Sequence, residues 1–224
     1  ETHARGYIRR LSANWQAPPA QDNPRLAHLR GRVRTEEDNI PPREARDQAI
    51  ARHTGTVIHM VFDALTQQPL PADTEHYCRT QAPRWRLLLQ QHGVGHDRVD
   101  DALARVQRAI RATLGSTVGR WVLAQHPQAA SEAGYITGRG GAFRQHIIDR
   151  TFVADGRRWI IDYKSSEPTD AQRPESFAEQ LIAEYREQLE RYRSLFEHDP
   201  LPVTMALYCP FLPEEDQLLE IPTR

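Results

Sequence analysis

The chain has 224 residues, of which 39% are apolar and 26% charged, and its formal net charge is −1. That is enough chain to bury a core, and the composition excludes a disordered tail. No apolar run approaches the roughly 20 residues of a membrane helix. Two cysteines, Cys78 and Cys209, are too few for a disulfide framework, a Cys-rich zinc site or a four-cysteine iron–sulfur cluster.

The start has no secretory pattern and no methionine, so the expectation is a cytoplasmic piece of a longer protein, with no membrane partner. The basic residues are lopsided: 28 arginines and a single lysine, Lys164, inside Ile-Ile-Asp-Tyr-Lys. Lysine is a compact point charge with a tunable pKa, which arginine is not.

In chain order, residues 1–43 are Pro- and Arg-rich with little periodicity and read as an irregular lead-in or linker. Seven arginines in residues 1–34 fit a solvated arm or one that touches phosphate. A domain over 44–224 follows, with a helical part (44–125) and an α/β core (130–212). Apolar spacing predicts helices over 43–66, 82–92, 97–114 and 117–125. Strands are expected over 132–137, 142–154 and 157–165, then a long helix over 174–197 and a fourth strand over 202–209. Gly138-Arg139-Gly140-Gly141 joins two strands and reads as a turn, not a phosphate loop.

Asp155-Gly156 is a two-residue hairpin signal. It sets Ala154 opposite Arg157. Extending that register puts Asp149 opposite Asp162 with Cβ atoms about 5 Å apart. Lys164 shares that face, with Ile147 as its partner. Two facing carboxylates repel unless a cation sits between them, and such a pair suits Mg²⁺ or Mn²⁺. Tyr185, Gln188 and Tyr192 fall at i, i+3 and i+7 of the long helix, on one stripe.

With these residues in hand, the chain resembles the RecB-like nuclease domain, a branch of the PD-(D/E)xK superfamily. The resemblance rests on Ile148-Asp149-Arg150, on Asp162-Tyr163-Lys164, on the helix with Tyr185, Gln188 and Tyr192, and on Gly55-Thr56-Val57-Ile58-His59. It covers roughly residues 50–212 and is nearest to the C-terminal domain of bacterial RecB- and AddA-like helicase–nucleases. It implies a restriction-endonuclease-like α/β core, a small mixed sheet flanked by helices, with a helical N-terminal part. It implies metal ligands at His59, Asp149, Asp162 and the Tyr163 carbonyl, a catalytic Lys164, and a Gln188/Tyr192 pair beside the site with Tyr185 one turn earlier. Glu132 matches an acid often found at the start of the first core strand. The implied cofactor is Mg²⁺ or Mn²⁺. No iron–sulfur cluster is expected, although some relatives carry one, and without Gly-x-x-x-x-Gly-Lys-[Ser/Thr] no ATP site is expected either.

The implied activity is hydrolysis of DNA phosphodiesters, on single strands and without sequence readout, in end processing, recombination and repair. A helicase motor lying N-terminal in the same longer chain is the implied partner, with a partner subunit a further candidate. Arg139, Arg144 and Arg150 are candidates for phosphate contact. The alternative is a catalytically silent module that binds DNA or a partner subunit. A glycosidase is a second rival, but neighbouring carboxylates leave too little room for an inverting water and need no lysine.

Overall fold

The computed structural model describes residues 42–139, 142–169 and 172–222. The chain divides into two units, 1–41 and 42–224, and the expected lead-in up to residue 41 lies outside the described residues.

The hairpin forms where the sequence places it. Strand β2 (Ala142–Ala154) and strand β3 (Arg157–Tyr163) flank Asp155 and Gly156, whose φ angles of 52° and 70° are the left-handed pair that a two-residue turn demands. Glycine adopts this freely, and aspartate is among the few others that tolerate it. Ala154 pairs with Arg157, and the antiparallel register runs unbroken to Arg150 opposite Ile161.

β3 is the sheet's middle strand, and all its residues after Arg157 are buried. Strand β1 (Ala130–Arg139) pairs antiparallel with β2, strand β4 (Val203–Tyr208) runs parallel to β3, and strand β5 (Leu218–Ile221) closes the order β1-β2-β3-β4-β5 antiparallel to β4. Parallel β3 and β4 need a long crossover, and helix α5 (Pro174–Arg193) supplies it, with proline at its first turn.

Period-2 alternation sends β3 side chains to two cores. Trp159, Ile161 and Tyr163 join Phe152 and the apolar faces of helices α1 (Pro42–Thr66), α2 (Thr74–Gln91), α3 (Val99–Gly115) and α4 (Thr117–Leu123). Ile160 joins Phe177, Leu181 and Leu189 of α5 on the opposite face. Ile160 and Ile161 are wholly buried, and each such side chain contributes roughly 1.5–3 kcal/mol.

Two helix boundaries and one strand differ most from the sequence reading. α2 begins at Thr74, not 82, because Asp73 caps it by accepting the His76 N–H at 2.8 Å; Pro83 lies inside the helix and does not start it. α5 ends at Arg193, and its last stretch, Ser194–Phe196, tightens to a 3₁₀ turn. β5 was not expected at all. Its four residues carry too short a pattern to read, and it forms on the free edge of β4. Among the described residues no helix is long and apolar enough to cross a membrane.

Candidate active site

The β1–β2 ladder keeps its register but loses the pair at Glu132 and Asp149, and the site forms there. Arg150 and Phe152 lie on the α1–α4 side, whereas Ile148 belongs to the α5 core. A regular strand would put 148, 150 and 152 on one face. The side-chain phase therefore slips at Asp149. Across from it, between the Ser131–Arg150 and Ala133–Ile148 pairs, Glu132 sits at φ 47°. That left-handed backbone is unusual for glutamate and costs on the order of 1 kcal/mol.

Beyond Arg150 and Ile161 the two strands part. Asp149 and Asp162 are not a ladder pair, as the extended register had them. Asp149 Oδ2 instead accepts the backbone N–H of Tyr163 at 2.7 Å. Ile147 pairs with Gly134 and is half exposed, and Lys164 leaves the sheet with its N–H on the Tyr208 carbonyl. The correction has a plain cause: a side-chain carboxylate takes a place that a backbone carbonyl would hold.

Side chains from five elements, α1, β1, β2, β3 and α5, meet where the strands part. α1 delivers His59, whose Nδ1 stands 3.6 Å from Asp149 Oδ2 and whose ring meets Tyr163 edge-on. Ligand atoms of His59, Glu132 and Asp149 all lie within 4.8 Å of one another. Asp162, 4% exposed at the end of β3, turns toward α5. Its Oδ1 accepts from Gln188 Nε2 at 2.8 Å, and the same Nε2 reaches the Tyr192 hydroxyl at 3.0 Å. Its Oδ2 stands 2.6 Å from Lys164 Nζ but makes no hydrogen bond of good geometry. Lys164 Nζ also lies 3.4 Å from the centre of the Tyr185 ring.

The electrostatics follow from crowding acids at a buried strand end. Burial, then the charge of Asp149, pushes the Asp162 carboxyl up to about 6 against the pull of Lys164. Burial and Asp149 also raise Glu132. Burial pulls His59 down, but the facing Asp149 carboxylate, then the charges of Asp162 and Glu132, outweigh it and leave His59 raised. The cluster is short of positive charge. An imidazole and three carboxylates, one of them with a buried oxygen whose partner is the Lys164 ammonium, form a donor set that fits a hard divalent cation.

Eight of the side chains that the sequence put at the site stand near one another here: His59, Asp149, Asp162, Lys164, Gln188, Tyr192, Tyr185 and Glu132. Asp162 stands outside the compact trio of His59, Glu132 and Asp149, held by Lys164 and Gln188. The arginines fare differently. Arg150 is not available to phosphate. It is 2% exposed and donates to the Val122 and Ala124 carbonyls and to Ser131 Oγ. The side chains of Arg139 and Arg144 lie outside the described residues.

Sequence reasoning missed Arg105 of α3. Its Nη2 donates to the Ser165 carbonyl at 2.7 Å and its Nη1 pairs with Glu167, anchoring the segment that follows Lys164. Only the fold brings α3 to that segment, 60 residues on. Gly55 explains its own place in the motif: a Cβ there would meet Ser165 Oγ at 2.8 Å. The site opens into a groove of about 630 Å³ lined by Arg52, Thr56, His59, Lys164, Ser165 and Tyr185, among others.

A comparison with proteins of curated function returns no match. The sequence model of the PD-(D/E)XK nuclease superfamily matches residues 21–219, nearly the whole chain. Nucleases of that superfamily use divalent metal ions, for which the donor set above is suited. With the mixed five-stranded sheet, its flanking helices and the Asp162-Tyr163-Lys164 strand end, this match means that the chain belongs to the PD-(D/E)XK nuclease superfamily.

Proposed function

We propose that this chain is the nuclease domain of a RecB-like helicase–nuclease that hydrolyses DNA phosphodiesters on single strands without sequence specificity, in end processing, recombination and repair. The family supports a metal-dependent nuclease. The finer reading rests on the resemblance of His59, Asp149, Asp162, Lys164, Gln188 and Tyr192 to the RecB-like pattern. One observation carries the chemistry: the sole lysine sits 2.6 Å from a buried aspartate at the strand end where Asp149, Glu132 and His59 converge.

In this reading His59, Asp149, Asp162 and the Tyr163 carbonyl hold Mg²⁺ or Mn²⁺, with Glu132 completing the acidic wall. A divalent ion held there would supply Lewis-acid chemistry, polarising a phosphate oxygen and lowering the pKa of a water. Lys164 orients the attacking water and stabilises charge that develops on the phosphate. Gln188 fixes Asp162 by its amide, and Tyr192 fixes Gln188. Asp149 holds the Tyr163 backbone in place, so the same carboxylate shapes the strand end and faces the cation. The motor that feeds the strand belongs to the rest of a longer chain, and ATP is not bound in this one.

The test is cleavage of labelled single-stranded DNA, duplex DNA and RNA with Mn²⁺, Mg²⁺ or EDTA, beside Lys164→Ala. The expected outcome is metal-dependent cleavage of single-stranded DNA, reduced about 10²–10³-fold in the variant. Binding of DNA with neither cleavage nor metal binding would establish the silent module instead.

A further inference from the structure

We propose that Tyr185 is the positioning residue of Lys164: its ring face is the seat that keeps the ammonium at the site once the Asp162 carboxylate is committed to a cation. The inference rests on Lys164 being the lysine of the nuclease proposed above.

Two contacts of Lys164 Nζ differ in kind. Asp162 Oδ2 is 2.6 Å away, and the centre of the Tyr185 ring is 3.4 Å away. Asp162 Oδ2 is buried and held by the Lys164 ammonium, with no second partner among the described residues, and so is a natural donor to a metal ion. The two uses compete. When that oxygen serves a divalent cation, the lysine loses its counter-charge and gains a like charge nearby. A flexible four-carbon side chain would then swing away.

The ring face meets this problem. It attracts an ammonium through its quadrupole by about 0.5–2 kcal/mol. It takes up no carboxylate oxygen, and it leaves the N–H groups free for water and phosphate. Tyr185 itself is held by α5, whose Phe177, Leu181 and Leu189 are buried against the sheet. It shares its helix stripe with Gln188 and Tyr192, the pair that fixes Asp162. One stripe therefore positions both the acid and the lysine.

A single lysine makes the seat directly observable. Protein carrying isotope-labelled lysine gives one set of side-chain resonances. In the wild type its ε-methylene protons are expected upfield under the ring current, without and with Mg²⁺. Tyr185→Leu returns them to the position of a free lysine, whereas Tyr185→Phe keeps them shifted. In cleavage, Tyr185→Leu lowers kcat about three- to thirty-fold, the range of a cation–π contact. KM stays within threefold, calorimetric Mn²⁺ affinity is retained, and Tyr185→Phe recovers most of the lost rate. Wild-type protein that cleaves with an unshifted lysine resonance overturns the seat alone. So does Tyr185→Phe as impaired as Tyr185→Leu, which would assign the effect to the hydroxyl. Loss of Mn²⁺ binding in Tyr185→Leu overturns it too, since the whole site would then have moved. Wild-type protein that cleaves no nucleic acid overturns the nuclease reading, and the seat's catalytic meaning with it.

Discussion

Asp149 Oδ2 accepts the backbone N–H of Tyr163 at 2.7 Å, so a side chain of β2 closes the hydrogen bond that β2's backbone gives up where the strands part. The carboxylate thus has a structural duty besides the chemical one, and substitutions should separate the two. Asp149→Asn keeps an oxygen for the Tyr163 N–H, whereas Asp149→Ala strands it. Cleavage is expected to vanish in both. Stability should fall by about 1–3 kcal/mol more in the alanine variant. Urea unfolding beside a cleavage assay checks this, and equal stabilities would remove the structural duty.

Asp162 costs the metal-free protein stability at neutral pH. Its folded-state pKa of about 6 lies above the ordinary 3.8, for reasons of burial and then Asp149. A raised pKa contributes stability that is fully present below the unfolded value and is lost as pH rises through the folded one. Asp162→Asn, which carries no charge at any pH, should therefore match the wild type near pH 4 in EDTA. By pH 7.5 it should exceed the wild type by about 2–3 kcal/mol. Saturating Mn²⁺ should narrow or reverse the order, because the wild type, with one more carboxylate ligand, gains more from binding. Chemical unfolding at the two pH values, with and without metal, reads all three terms.

Gln188 acts through the acid it holds. Its Nε2 is the donor to Asp162 Oδ1 and bridges to the Tyr192 hydroxyl. Gln188→Ala is expected to weaken Mn²⁺ binding or cleavage about 10–100-fold, the usual cost of losing a partner behind a metal ligand. Gln188→Glu should be worse, since it sets another carboxylate against Asp162. Calorimetry with Mn²⁺ decides it, and unchanged affinity in both variants would count against a positioning role.

Arg150 should behave as a core residue. Its guanidinium serves two carbonyls and a hydroxyl and lies over the Phe152 ring. Arg150→Met is expected to lose about 2–4 kcal/mol of stability through the donors it removes. Under conditions where the protein stays folded, affinity for single-stranded DNA and its salt dependence should not change. A shallower salt slope in the variant would restore Arg150 to the phosphate-contacting surface.

By itself the sequence determined what depends on neighbours in the chain. Two residues, Asp155 and Gly156, set the β2–β3 turn, because positive φ at both central positions is a local demand. The spacing of Tyr185, Gln188 and Tyr192 placed them on one stripe, because helical geometry is local too. The residues gathered at the site centre were legible for the same reason: each motif is short, and each lies on one element. Tertiary structure decided how those elements meet. The register extrapolated from the turn failed at Asp149, because a side chain, a strained Glu132 and the parting of two strands override pleat periodicity there. Arg150 stands next to a site acid in sequence yet faces the interior, since that same phase slip turns it toward α4. β5 needed the edge of β4, and the anchoring of Ser165 needed Arg105 from a helix 60 residues away. Backbone hydrogen bonding and long-range packing have no signature in a local window, so these features exist only once the chain has folded.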